Sequence, residues 1–185
     1  MPALRRRSVT SSSVLLERFC GDALFPVQKV TPFLSSAPSS DGGTLLNLEL
    51  ECGPAIEEKA PEAERIGRRG LACEVWIPIE DATLASLEDL RVKVPWRSLD
   101  ARGVRHSLYV FEHEDLWAID VRIRHDVAQR FHLRLKGRTR DPNHYSGGVP
   151  ETQVIIDAVF DVELRARSAP GKKRTPAKRR VRTMG

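Results

Sequence analysis

Residues 137–152 hold Asp141, Asn143, His144, Tyr145 and Ser146 between glycines and prolines. A carboxylate three residues from an imidazole, with hydroxyls beside it, is material for general acid–base chemistry, His144 acting as the base. Loops of this length on a rigid scaffold often carry function. The same residues also suit a solvated connection, because Asp141-Pro142-Asn143 is a turn sequence. Asp141, Asn143, His144 and Tyr145 therefore make a candidate functional loop, with no catalytic role assigned.

Elsewhere the chemistry is that of charge. Lys172, Lys173, Arg174, Lys178, Arg179, Arg180 and Arg182 form two cationic clusters near the C-terminus. Such clusters attract polyanions by counterion release, without base specificity and with steep salt dependence. No aromatic residue is interleaved with them, so base stacking is not expected there. A second basic group, Arg122, Arg124, Arg130, His132, Arg134 and Lys136, alternates with apolar residues and so occupies one face of two strands. That face suits an anion or a phosphate backbone, unless acids such as Asp157, Asp161 and Glu163 on the last strand neutralise it locally.

Signatures of other chemistry are absent. The chain has no GxSxG elbow, phosphate loop, HExxH or dinucleotide fingerprint. His106, His113, His125, His132 and His144 are never two or four residues apart, and Cys20, Cys52 and Cys73 form no CxxC, so no metal or other cofactor is expected. His113, among Glu112, Glu114 and Asp115, reads as a charged hairpin tip. The cysteines read as free thiols in a reducing compartment.

The elements that position these groups are strands. Leu46, Leu48 and Leu50 alternate with polar residues over 44–51, and Leu71, Cys73, Val75 and Ile77 do so in a second strand ending before Pro78. Residues 25–33, interrupted by Pro26 and Pro32, suit an irregular or edge strand. Residues 53–70 read as a long loop with a short helix around 62–66. Asp81 is a plausible N-cap for a short helix over 82–90, followed by alternation over 91–94.

The strongest pattern is a hairpin. Trp117, Ile119, Val121 and Ile123 form one face of its first strand, and Phe131, Leu133 and Leu135 one face of its second. A connection over 125–129 pairs Ile123 with Phe131, Val121 with Leu133 and Ile119 with Leu135. Before it, a strand over 105–112 joins through a tight turn at 113–115, with either Leu108 and Val110 or Tyr109 and Phe111 facing the core. A last strand alternates from Val154 to Leu164. Such elements predict a mainly β, antiparallel sandwich or barrel with one short helix.

The chain of 185 residues fits one domain, with 41% hydrophobic and 30% charged residues. Its net charge of +5 conceals a division. Twelve of the 30 cations lie in residues 1–7 and 165–185, which hold no acid, leaving 18 against all 25 acids and a body of net −7. The basic excess belongs to the ends. A flexible arm over 1–12, a single β-rich domain over 13–167 and a disordered tail over 168–185 follow, the tail lacking apolar residues to offset its ordering entropy. No segment is long and apolar enough for a membrane span or an export signal, which makes the cytoplasm the expected location.

Together these features predict a non-enzymatic β-rich module that binds another protein, its tail adding electrostatic tethering. The alternative is an RNA- or DNA-associated protein that uses the tail and the basic hairpin face.

Overall fold

The computed structural model describes residues 12–36, 43–94, 106–127, 129–143 and 150–162. Among them, eleven antiparallel strands form one curled, half-barrel sheet. They are β1 (Ser13–Glu17), β2 (Ala23–Ser36), β3 (Thr44–Cys52), β4 (Glu57–Glu58), β5 (Ala72–Ile79), β6 (Leu90–Val94), β7 (Ser107–Tyr109), β8 (His113–Asp115), β9 (Trp117–Val127), β10 (Arg130–Arg140) and β11 (Glu151–Asp161). Their order is β6-β9-β10-β11-β1-β2-β3-β5-β7-β8, with β4 beside β2.

Alternation decides what fills the hollow of the curl. Leu46, Leu48 and Leu50 from β3 and Cys73, Val75 and Ile77 from β5 meet Ile119, Val121, Ile123, Phe131, Leu133 and Leu135 from β9 and β10. Val154, Ile156, Ala158 and Phe160 complete the core from β11. Each large apolar side chain removed from water there contributes roughly 1.5–3 kcal/mol.

Strand β2 makes the corner of the curl. Its first residues, Ala23 to Pro26, pair with β1, and its remainder, from Val27 to Ser36, pairs with β3 across an irregularity between Val27 and Lys29. The expected irregular strand is thus longer than 25–33 and lies mid-sheet. It escapes the penalty for internal proline because Pro32 sits where β2 has β3 on one side and no described strand on the other.

Several local expectations need correction. The segment over 82–90 makes a single 3-10 turn, Ala85–Leu87, not a helix. The Asp81 carboxylate does accept from the Thr83 N–H at 3.0 Å and from the Thr83 and Ser86 hydroxyls, but Leu90 is drawn into β6 to pair with Ile123. The short helix expected near 62–66 is likewise one 3-10 turn, Glu62–Glu64. β5 continues through Pro78 to Ile79. Residues 113–115 are a strand, β8, paired with β7, so the tight turn lies at 110–112. The ambiguity over β7 resolves toward Leu108 and Val110, both buried, with Tyr109 outward.

The hairpin forms with the expected buried face but in another register. Ile123 pairs with Leu133 and Val121 with Leu135, while Phe131 lies opposite His125. The strands run on to Val127 and Arg130, so the connection is shorter than 125–129. A slip of two residues preserves which face is apolar, so side-chain alternation alone cannot choose between these registers. The turn decides.

Candidate functional site

Asp141 follows β10, and its carboxylate is fully buried against Arg18, just beyond β1. The Arg18 guanidinium donates from Nε to Oδ2 at 2.9 Å and from Nη2 to Oδ1 at 2.8 Å, a bidentate pair, and from Nη1 to the Glu64 carbonyl at 2.8 Å. The Thr152 hydroxyl and the Asn143 N–H, each at 3.1 Å, donate to the same carboxylate. Burial alone would push the Asp141 carboxyl up, but these donors and the Arg18 charge hold it below the usual range. Burial would lower Arg18 likewise, and Asp141 outweighs it, so both stay charged.

This arrangement consumes the carboxylate of the candidate loop. Asp141 joins the residue just beyond β1 to the start of β11, while Arg18 and Asn143 carry the link to Glu64 in the 53–70 segment, the Asn143 side-chain amide donating at 3.4 Å. His144, Tyr145 and Ser146 lie outside the described residues. The partner that sequence reasoning missed is Arg18, 123 residues away. A lone arginine after an apolar strand carries no signal of burial.

Burial pushes the Cys52 thiol up to about 12 and Cys73 higher still, and Cys20 is also raised by burial, against the pull of Arg18. All three are free thiols. Their raised values make them poor nucleophiles. Among the described residues no cluster of His, Cys, Asp and Glu is arranged to hold a metal, and no helix is long and apolar enough to cross a membrane.

A cleft of about 600 Å³ opens where the β7–β8 hairpin meets the ends of β9 and β10. Its walls carry Glu74, Ser107, Glu114, Asp115, Trp117 and Arg140. Glu74, Ser107 and Asp115 occupy one row across β5, β7 and β8. Burial pushes the Glu114 carboxyl up, with Asp115 and Glu112 adding to the effect and Arg140 opposing it.

Trp117 reaches this cleft through a bulge. Arg138 pairs with Trp117 but Lys136 with Asp120, so β9 carries one extra residue. Ala118 absorbs it with a φ of +51°. The extra residue reverses the alternation, so Leu116 enters the core and Trp117 turns outward, contrary to the expectation that Trp117 shares the face of Ile119.

The hairpin cations lie on the outer surface, and most have acidic neighbours. Asp157 lies 2.5 Å from His132 and 3.3 Å from Arg134, Arg130 pairs with Asp126 at 2.8 Å, and Asp89 lies 3.8 Å from Arg124. Arg122 and Lys136 make no ion pair among the described residues. The slip in register sets Arg122 opposite Arg134 and Asp120 opposite Lys136, whereas the register that pairs Val121 with Leu133 would set Arg122 opposite His132 and Asp120 opposite Arg134. The tail residues Lys172, Lys173, Arg174, Lys178, Arg179, Arg180 and Arg182 lie outside the described residues. Comparison with protein-family models, with curated proteins and with solved structures finds no match.

Proposed function

We propose that the protein is a non-enzymatic, β-rich binding module that recognises a segment of another protein at the β7–β8 cleft, its basic tail adding electrostatic tethering. The supporting observation is the composition of that cleft. Glu74, Glu114 and Asp115 offer acceptors to a cationic or amide-rich segment, Trp117 supplies an aromatic body, and Arg140 gives one opposite charge to set orientation. Aromatic residues beside well-placed polar groups are characteristic of protein recognition surfaces. The short strand β8 ends the sheet order, and among the described residues no second strand hydrogen-bonds its outer edge, although β10 packs nearby, which suits a short extended segment.

Affinity capture with the intact chain, beside a Glu74→Lys/Asp115→Lys variant, tests the reading. A stoichiometric protein partner retained by the parent and lost by the variant is expected. Equal recovery of the same partner by both would place recognition elsewhere.

A further inference from the structure

The outer surface of β6, β9 and β10 carries a row of like charges. Arg91 pairs with Arg122 in register, and Arg122 with Arg134, so three guanidinium groups stand side by side on adjacent strands. In the next row Lys93 and Lys136 flank Asp120. Arg124, two residues along β9, extends the block. Neighbouring strands lie about 4.8 Å apart and alternate residues of one strand about 6.6 Å apart, so six cations occupy a patch three rows deep and three strands wide.

Three carboxylates answer them. Asp89 lies 3.5 Å from Arg91 and 3.8 Å from Arg124, Asp157 is shared by Arg134 and His132, and Asp120 stands between the two lysines. Lys93, Arg122 and Lys136 make no ion pair among the described residues, and all three are exposed. Like charges placed directly across a sheet destabilise it. A body with seven more acids than bases has the composition to avoid this, yet it collects bare cations on one face.

We infer that this face docks the phosphate backbone of a double-helical nucleic acid, at a site separate from the proposed protein-binding cleft and independent of it. A cationic grid with no base-stacking aromatic neutralises phosphates without reading sequence. The β9–β10 ribbon ends in a tip where His125, Asp126, Val127 and Arg130 are all exposed, and a two-stranded ribbon is of a size that a major groove admits. An anionic membrane fits less well, because the exposed apolar side chains beside the grid, Val127 at the ribbon tip and Val159 on β11, include no Trp, Phe or Leu to enter the acyl boundary.

The test uses the intact chain and a mixed-sequence DNA duplex, with binding measured across a salt series. Lys93→Gln/Arg122→Gln/Lys136→Gln removes three cations from the face, and Lys29→Gln/Arg68→Gln/Arg69→Gln removes three exposed cations elsewhere. The face variant should bind roughly tenfold more weakly or worse, and the slope of log affinity against log salt should fall by about 2.7, at about 0.9 for each phosphate contact. The control should stay within about twofold, a margin small beside the change expected for lost phosphate contacts. Arg122→Gln alone should lower the slope by about 1, which keeps the test valid should the triple variant melt early. Unchanged binding by the face variants would assign affinity to the tail and overturn the inference. So would equal losses in face and control variants, which would reduce the effect to net charge. Loss of binding to phosphatidylserine vesicles with duplex binding intact would overturn it in favour of a membrane.

Discussion

Arg18 and Asp141 show how one buried pair constrains a chain at distant points. Each side chain is removed from water, and the geometry is bidentate with the remaining acceptor sites filled by Thr152 and Asn143. Breaking such a pair leaves an uncompensated buried charge, so Arg18→Ala should cost about 3–5 kcal/mol in denaturant unfolding. Because Asp141 is held below its unfolded value of about 3.9, its contribution is complete above that pH and disappears as pH falls through the folded value. The stability difference between the parent and Asp141→Asn should therefore be constant from about pH 8 to 5 and close below about pH 4. A difference that persists unchanged into acid would contradict the assignment.

At the scale of elements, the β9 bulge matters more than any single pairing. Ala118 holds a left-handed backbone conformation that costs an L-residue roughly 1–2 kcal/mol, whereas glycine adopts it freely. Ala118→Gly should consequently leave the fold intact and raise stability, by about 0.5–1 kcal/mol after glycine's greater unfolded-state entropy is subtracted. A loss of stability in thermal melts would show that the Ala118 methyl packs usefully enough to offset its strain. The bulge also sends Trp117 to the cleft, and deleting Ala118, the one extra residue, should restore regular pairing with β10 while Leu116 and Ile119 stay inward and the indole stays outward. Tryptophan fluorescence close to the parent's is the expected result, and a blue shift would show the indole driven into the core. Strand alternation was legible after the bulge in β9 and along β10, because it is a local property of residues 119–123 and 131–135. Neither the bulge nor the two-residue slip was legible, because each preserves or merely reverses a pattern whose phase the sequence leaves open.

Across the whole molecule, charge is sorted by place. The cleft end of the sheet gathers Glu74, Glu114 and Asp115, while the opposite end of the strand order gathers Arg91, Lys93, Arg122 and Lys136. The C-terminal residues add the seven cations from Lys172 to Arg182. With almost no apolar area to bury, residues 168–185 should contribute little to folding, and a chain ending at Arg167 should keep its melting temperature within error. Its binding to heparin should weaken and lose salt dependence in proportion to the cations removed. If the truncated chain melts well below the parent, the tail takes part in the folded body, and its cations answer the acidic surface.

Composition and alternation by themselves determined that this chain is mainly β, which residues of 44–51, 71–77 and 119–135 face inward, and that its basic excess resides in the ends. These are local properties, written in a period of two and in residue counts. Tertiary structure alone decided that Asp141 is spent on Arg18, that Trp117 leaves the core, that β2 turns the corner of the sheet and that Arg91, Arg122 and Arg134 stand in one row. Each of those depends on which distant strands become neighbours and in which register. That choice is made by turn length, bulges and the closing of one core, energies that belong to the assembled sheet and to no single segment of the sequence.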